Sequence, residues 1–279
     1  MTDALTPTER LLHGADMPRI GAGTWPLDDT DAERVVTDAL AAGYRLIDTA
    51  QGYRNELGVG RGLKASGLRR EDIFVTSKFG KQSHGRDLAV RACERSLDTL
   101  GLDYLDLMLI HWPNPGQDRY VEAWEGLVQV LESGRVKAIG TSNFKPAHLE
   151  RIIQATGVVP DVNQIELSPA SVRREARAFH DAHGIVTESW SPIGGNGAKM
   201  LDLPVVQQVA AQTRRTAAQV VLRWHVQLGL VVVPKSSNPD RLRQNLDVFS
   251  FELSADQMGA LSALDQGESV VADSDRTGH

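Results

Sequence analysis

The chain has 279 residues, a mass of 30.4 kDa and a net charge of −6, from 30 Lys plus Arg against 36 Asp plus Glu. With 41% hydrophobic and 24% charged residues, it is too long for a stapled mini-domain and too apolar to stay unfolded. This mildly acidic balance gives no global attraction to nucleic acid or an anionic membrane, so any bound phosphate must meet a local cationic cluster.

In chain order, a hairpin around Gly14 comes first, in LLHGADMPRI. Arg19 to Trp25 is the first strand-like run, followed by a helix with Val35, Val36, Ala39 and Leu40 on one face. Arg45 to Thr49 is the second strand, and a helix follows near Glu56 to Ala65. Asp72 to Lys78 is the third; its helix spaces Leu88, Ala89, Ala92, Cys93, Leu97 and Leu100 along one stripe. Tyr104 to His111 is nearly all apolar, as a strand buried on both faces should be. The next helix spaces Tyr120, Trp124, Leu127 and Leu131 for burial. Then come Val136 to Thr141, a helix from about Pro146, Asp161 to Ile165, a helix from Ser171 to His183, and Ile185 to Trp190. A helix around Ala217 to Leu228 leads to the last strand, Val231 to Lys235, and a helix from Pro239. Past Ser254 only a short helix and the polar tail GESVVADSDRTGH remain.

Eight strands, each followed by a helix, predict a closed (β/α)8 TIM barrel; a doubly wound open sheet is the competing α/β architecture. The expected organisation is one barrel domain over residues 1–279, with an N-terminal β-hairpin and a short C-terminal tail. MTDALTPTER has no apolar signal core, and Leu228 to Pro234 is far shorter than the roughly 20 residues of a spanning helix. The single Cys93 excludes an internal disulfide and fits a reducing cytosol. A cytoplasmic monomer with no membrane or nucleic-acid partner is expected.

A barrel places its chemistry at the C-terminal ends of its strands. Polar groups stand there in successive units: Asp48 with Tyr53 just beyond, Lys78, His111, Ser142 and Asn143, Gln164, then Lys235 and Ser236. Asp48 and Lys78 can neutralise each other across neighbouring strands. An ammonium beside a tyrosine stabilises the phenolate and lowers its pKa, so Tyr53, Lys78 and Asp48 together suit proton transfer, with His111 orienting a carbonyl oxygen. An isolated Asp–Lys pair is more often structural; four proton-handling residues at three consecutive strand ends shift the balance toward a site. The run Val233 to Asn245 combines Lys235, Ser236, Ser237, Asn238 and Arg241 at a strand end and helix start, which suits a phosphate.

These motifs resemble the aldo-keto reductase family over roughly Met17 to Leu264. GYRLIDTAQGYRNELGVG (Gly43 to Gly60) is similar to a family signature, which makes Asp48 and Tyr53 catalytic, and SKFG and LIHWP carry the family lysine and histidine as Lys78 and His111. The resemblance implies NADPH/NADP+ as cofactor, a small-molecule carbonyl as substrate, and hydride transfer with Tyr53 as general acid. It implies that Ser142, Asn143 and Gln164 hold the nicotinamide carboxamide and that Trp190, where tyrosine is commoner, stacks on the ring. Ser191, Pro192, Ile193 and Gly194, running on to Asn196, would flank the pyrophosphate, and Gly23 and Thr24 would also line the cofactor cleft. Lys235, Ser236, Ser237, Asn238 and Arg241 would grip the 2′-phosphate, with Gln244 and Asn245 toward the adenine. GVGRGL at Gly58 lacks the third glycine of G-x-G-x-x-G, so no Rossmann turn is expected.

Trp25, Phe79 and Trp112 resemble the family's pocket walls. The short loop after His111, Gly80 in place of a bulky tryptophan, and the short tail predict a pocket open on one side, as in bacterial members similar to 2,5-diketo-gluconate reductases. Two other functions stay open: an NADPH-binding regulatory or sensor subunit with slow turnover, and a barrel lyase using Lys78 as a Schiff base. No metal is expected: His180 and His183 lack a third ligand and read as surface residues. Cys93, Trp124 and Trp224 sit at core spacing, and Arg173, Arg174 and Arg177 read as a solvated helix start.

Overall fold

A computed structural model describes residues 6–194 and 198–278. Gly195 and Asn196, expected beside the pyrophosphate, lie outside the described residues. The chain opens with an antiparallel hairpin, β1 (Thr8–Arg10) and β2 (Asp16–Pro18), turned at Gly14 with φ 94°. Eight parallel strands follow: β3 (Ala22–Gly23), β4 (Leu46–Asp48), β5 (Phe74–Phe79), β6 (Leu105–Ile110), β7 (Val136–Ser142), β8 (Val162–Glu166), β9 (Val186–Trp190) and β10 (Val231–Val232). Each pairs with the next in sequence. The ends meet through a parallel bridge between Ile20 and Val232 and through the Gly21 and Gly23 amides donating to the Val232 and Pro234 carbonyls. The result is the expected (β/α)8 barrel.

Among the described residues eleven helices surround it: α1 (Asp29–Ala42), α2 (Glu56–Ala65), α3 (Arg86–Leu100), α4 (Tyr120–Glu132), α5 (Pro146–Thr156), α6 (Arg174–His183), α7 (Ala198–Leu201), α8 (Pro204–Thr213), α9 (Ala217–Gln227), α10 (Pro239–Leu246) and α11 (Ala255–Ser262). The GVGRGL run is helical, within α2, and its glycines serve packing. A Cβ on Gly58 would lie 2.0 Å from the Asp29 carbonyl oxygen, and one on Gly60 2.3 Å from that of Leu100. Only glycine lets α2 approach α1 and the end of α3 this closely.

Strand alternation sorts the side chains into two cores. Leu46, Phe74, Leu107, Leu109 and Val231 fill the barrel interior, closed below by Leu11 and Met17 of the hairpin region. Ile47, Val75, Met108 and Ile139 face outward into the layer shared with the helices, beside Cys93 and Trp124. Trp224 belongs to a separate helix core.

Two expectations are corrected around α6. The helix begins at Arg174 and not Ser171, because Ser168 and Ser171 exchange backbone hydrogen bonds and Arg173 adopts φ 52°, outside the helical region. Arg173 is buried rather than solvated, with Nε 2.8 Å from Glu268 in the tail. The tail is further tied to α5 by Lys145, whose ammonium lies 2.6 Å from both Asp273 and Asp275.

Candidate active site

The inward parity of the strands carries Asp48, Lys78, Ser142, Gln164 and Trp190 to the C-terminal mouth, with His111 one residue beyond β6. Tyr53 reaches the same place from the short 3-10 turn Gln51–Tyr53. That loop is held by Asn55, whose amide donates to the Thr24 and Leu27 carbonyls while its oxygen accepts from Thr49. Thr24 in turn donates its hydroxyl to the Asp48 carbonyl, tying the loop after β3 to the end of β4.

Lys78 is fully buried, and its ammonium donates to Asp48 Oδ1 at 2.7 Å, to the Thr49 carbonyl at 2.9 Å and toward the Tyr53 hydroxyl at 3.4 Å. Burial alone would lower the lysine's pKa; the charges of Asp48 and Tyr53 and the Asp48 hydrogen bond outweigh it, and the net shift is upward. Tyr53 behaves differently from expectation. Burial, with Asp48 and Glu188, raises its pKa more than Lys78 lowers it, so the resting hydroxyl holds its proton more firmly than an ordinary tyrosine. The expected lowering is corrected: it weighed the Lys78 charge and left out the burial of the hydroxyl, which is the larger effect. The His111 ring packs edge-on to Tyr53, with centroids 5.7 Å apart.

A second group is linked through Asn143, which sits at φ 63° just past β7. Its side-chain oxygen accepts from Trp190 Nε1 at 2.9 Å, and its amide donates to Ser142 Oγ and the His111 carbonyl. Trp190 is thereby fixed across the mouth. Ser191, Pro192, Ile193 and Gly194 turn directly after it, closed by the Gly194 amide donating to the Ser191 carbonyl. Gln164 donates to Asp48 Oδ2 at 2.8 Å and to Glu188 Oε2 at 2.7 Å. Glu188 was not anticipated. It stands two residues before Trp190, on the same face of β9, and that spacing was the available signal.

Of the three expected pocket walls, Trp25 packs on Tyr53 at 5.2 Å between centroids and is 59% exposed. Trp112 is 6% exposed, stacks beside His111 and has Gly278 of the tail against it. Phe79 is not in the site. It follows inward Lys78 by one residue, so it points outward, fully buried in the helix-facing core with Ala89 and Cys93.

At the end of β10, Gly23 allows close approach: a Cβ there would sit 3.2 Å from the Val233 carbonyl oxygen. Lys235 and Arg241 have no ion-pair partner among the described residues, and Ser236 directly follows Lys235. Asn238 caps α10, its side-chain oxygen accepting from the Asp240 and Arg241 amides at 2.9 and 3.1 Å. Those amides are occupied, so an anion here meets side chains rather than the helix's own N–H groups. Ser237 and Gln244 are exposed, and Asn245 is buried. Among the described residues no group of three His, Cys, Asp or Glu could hold a metal ion.

A barrel with a buried Asp–Lys pair against a tyrosine at its mouth defines an oxidoreductase of the carbonyl-reducing kind. The chain belongs to the aldo/keto reductase family, which it matches over residues 17–266. It is 45% identical over 269 residues to an aldo-keto reductase from Mycolicibacterium smegmatis, covering 96% of this chain and 97% of that one. It is 43% identical over 269 residues to the methylglyoxal reductase DkgA of Escherichia coli K12, with the same coverage. Among solved structures, a mutant of Gox0644 in complex with NADPH superposes with a TM-score of 0.90 at 48% identity, covering 94% of each chain.

Proposed function

We propose that this protein reduces aldehydes and ketones to alcohols with NADPH, with Tyr53 as the general acid. The observation that carries the reading is the line from Tyr53 through Lys78 to Asp48, at 3.4 and 2.7 Å, in the mouth of an aldo/keto reductase barrel. NADPH, which the Gox0644 mutant binds, supplies the hydride when bound. The residues present suit it: a held indole for the ring, amides at Asn143 and Gln164 for the carboxamide, and Lys235 and Arg241, without ion-pair partners among the described residues, with Ser236 for the 2′-phosphate. Ser142 fixes Asn143.

The site's own residues account for the proton. Tyr53 keeps its hydroxyl protonated in the resting state and delivers that proton as the carbonyl oxygen becomes a strongly basic alkoxide. Lys78 then stabilises the tyrosinate, and Asp48 keeps Lys78 charged and in place. His111 directs the carbonyl oxygen toward Tyr53. A Schiff-base role for Lys78 is disfavoured, because a buried ammonium with a raised pKa and two close acceptors has no lone pair to attack with.

The substrate side has a buried wall at Trp112 and an exposed one at Trp25, which suits small, polar carbonyls entering past Trp25. DkgA is named a methylglyoxal reductase, so 2-oxoaldehydes are the first class to assay. Tyr53→Phe is the test. Turnover should fall by about 10²- to 10⁴-fold while NADPH still quenches tryptophan fluorescence. Retained turnover removes Tyr53 as the acid, and wild-type protein that never oxidises bound NADPH with any carbonyl points to a sensor.

A further inference from the structure

Glu188 is a fully buried carboxylate that the proton-transfer line does not use. It is the register partner of Gln164 on β8 and of Val231 on β10. Its Oε2 accepts from Gln164 Nε2 at 2.7 Å, and Oε1 has no hydrogen-bond partner among the described residues. The charged and titratable groups facing it are Asp48 and Lys78, with Tyr53 beyond them. Burial and the Asp48 charge raise its pKa against the opposing effects of Gln164 and Lys78. Oε2 accepts from Gln164 in either protonation state.

The consequence lies in Gln164. An amide nitrogen has two hydrogens, and here both are taken, one by Asp48 and one by Glu188. The flipped amide would put its oxygen 2.7–2.8 Å from two carboxylate oxygens, so the hydrogen-bond network fixes one orientation. Oε1 is then the one amide atom that Gln164 can offer to a ligand in the cleft, and it is an acceptor. Asp48 alone could not enforce this, since a single partner leaves the other amide hydrogen free to turn outward.

We infer that Glu188 is a positioning residue. Together with Asp48 it locks Gln164 so that Oε1 accepts a hydrogen bond from the nicotinamide carboxamide N–H2. This rests on the reading that Gln164 meets the carboxamide. The test compares dissociation constants, by calorimetry, for NADP+ and for its 3-acetylpyridine analogue. The analogue keeps the carbonyl and lacks the N–H2 group.

Wild-type protein should favour NADP+ by about tenfold, the scale of one buried hydrogen bond. Glu188→Leu, which removes the acceptor, should bring the ratio to within about twofold of unity, because Gln164 can then turn. Glu188→Gln, which can still accept through its amide oxygen, should keep most of the ratio. If Glu188→Leu does not fold, Glu188→Thr, too short to reach Gln164, makes the same comparison. A Glu188→Leu protein with the wild-type ratio overturns the inference, as does a folded Glu188→Gln protein that loses it. Gln164→Leu separates the two layers. Loss of the ratio there with retention in Glu188→Leu leaves Gln164 as the contact and removes Glu188. Equal ratios in wild type and Gln164→Leu remove the carboxamide contact itself, and the inference with it.

Discussion

Lys78 Nζ lies 2.7 Å from Asp48 Oδ1, and neither side chain has more than a trace of solvent exposure. The pair is therefore electrostatically strong but costly to break. Asp48→Asn leaves a buried ammonium without its counter-charge, so burial dominates and the lysine's pKa falls. In the native protein the raised lysine pKa contributes stability that is complete below the unfolded value of about 10.4 and is lost only as pH rises through the folded value. At pH 7 the full contribution is present. Asp48→Asn should lower stability by about 3–5 kcal/mol, measured from urea midpoints at constant slope. It should also move the alkaline limb of the kcat/KM profile to lower pH. An unchanged midpoint and profile would show that the pair does neither job.

Arg241 and Lys235 have no ion-pair partners among the described residues, and the α10 amides are already capped by Asn238. A 2′-phosphate here depends on the side chains. Arg241→Ala should weaken NADPH by about 1.5–3 kcal/mol, the scale of a hydrogen bond to a charged group, and leave NADH within about twofold. Wild-type NADPH affinity should fall with added salt, and the variant's should fall less. Fluorescence titrations with both cofactors decide this; equal weakening takes Arg241 away from the phosphate.

The barrel was legible because its signals repeat. Eight apolar runs alternate with amphipathic helices, and six of the strand ends carry a polar residue at or just past the mouth. Where parity was not carried through, the reading failed. Phe79 follows Lys78 and faces the helices, while Glu188 precedes Trp190 by two and faces the cleft. Long-range effects were also hidden. The raised pKa of Tyr53 comes chiefly from burial, which the assembled barrel mouth decides and the local sequence does not, with Asp48 and Glu188 adding to it. Arg173 looked solvated because its partner, Glu268, lies in the tail almost a hundred residues away.

His180 shows the same limit and gives a pH test. Its spacing three residues from exposed His183 reads as a surface position, but it is fully buried between β8 and β9. Asn163 spends its amide hydrogens on the Phe144 carbonyl and on His180 Nε2, so the ring must be neutral at Nε2 and donate from Nδ1 to Thr187. Burial, with Arg173 and Arg177 nearby, pushes its pKa down to about 3. Between about 6.5 and 3 the unfolded chain therefore binds a proton that the native state refuses, and stability falls as pH drops. The slope is about 1.4 kcal/mol per pH unit for each such histidine. His225 and His84, both pushed down to about 4 chiefly by burial, act in the same direction. His180→Gln keeps an acceptor for Asn163 and cannot titrate. Urea midpoints at pH 7, 6, 5 and 4 should show its acid slope shallower than wild type by about one proton. Parallel slopes would mean that His180 is protonated in the native state and that the Asn163 contact does not hold it neutral.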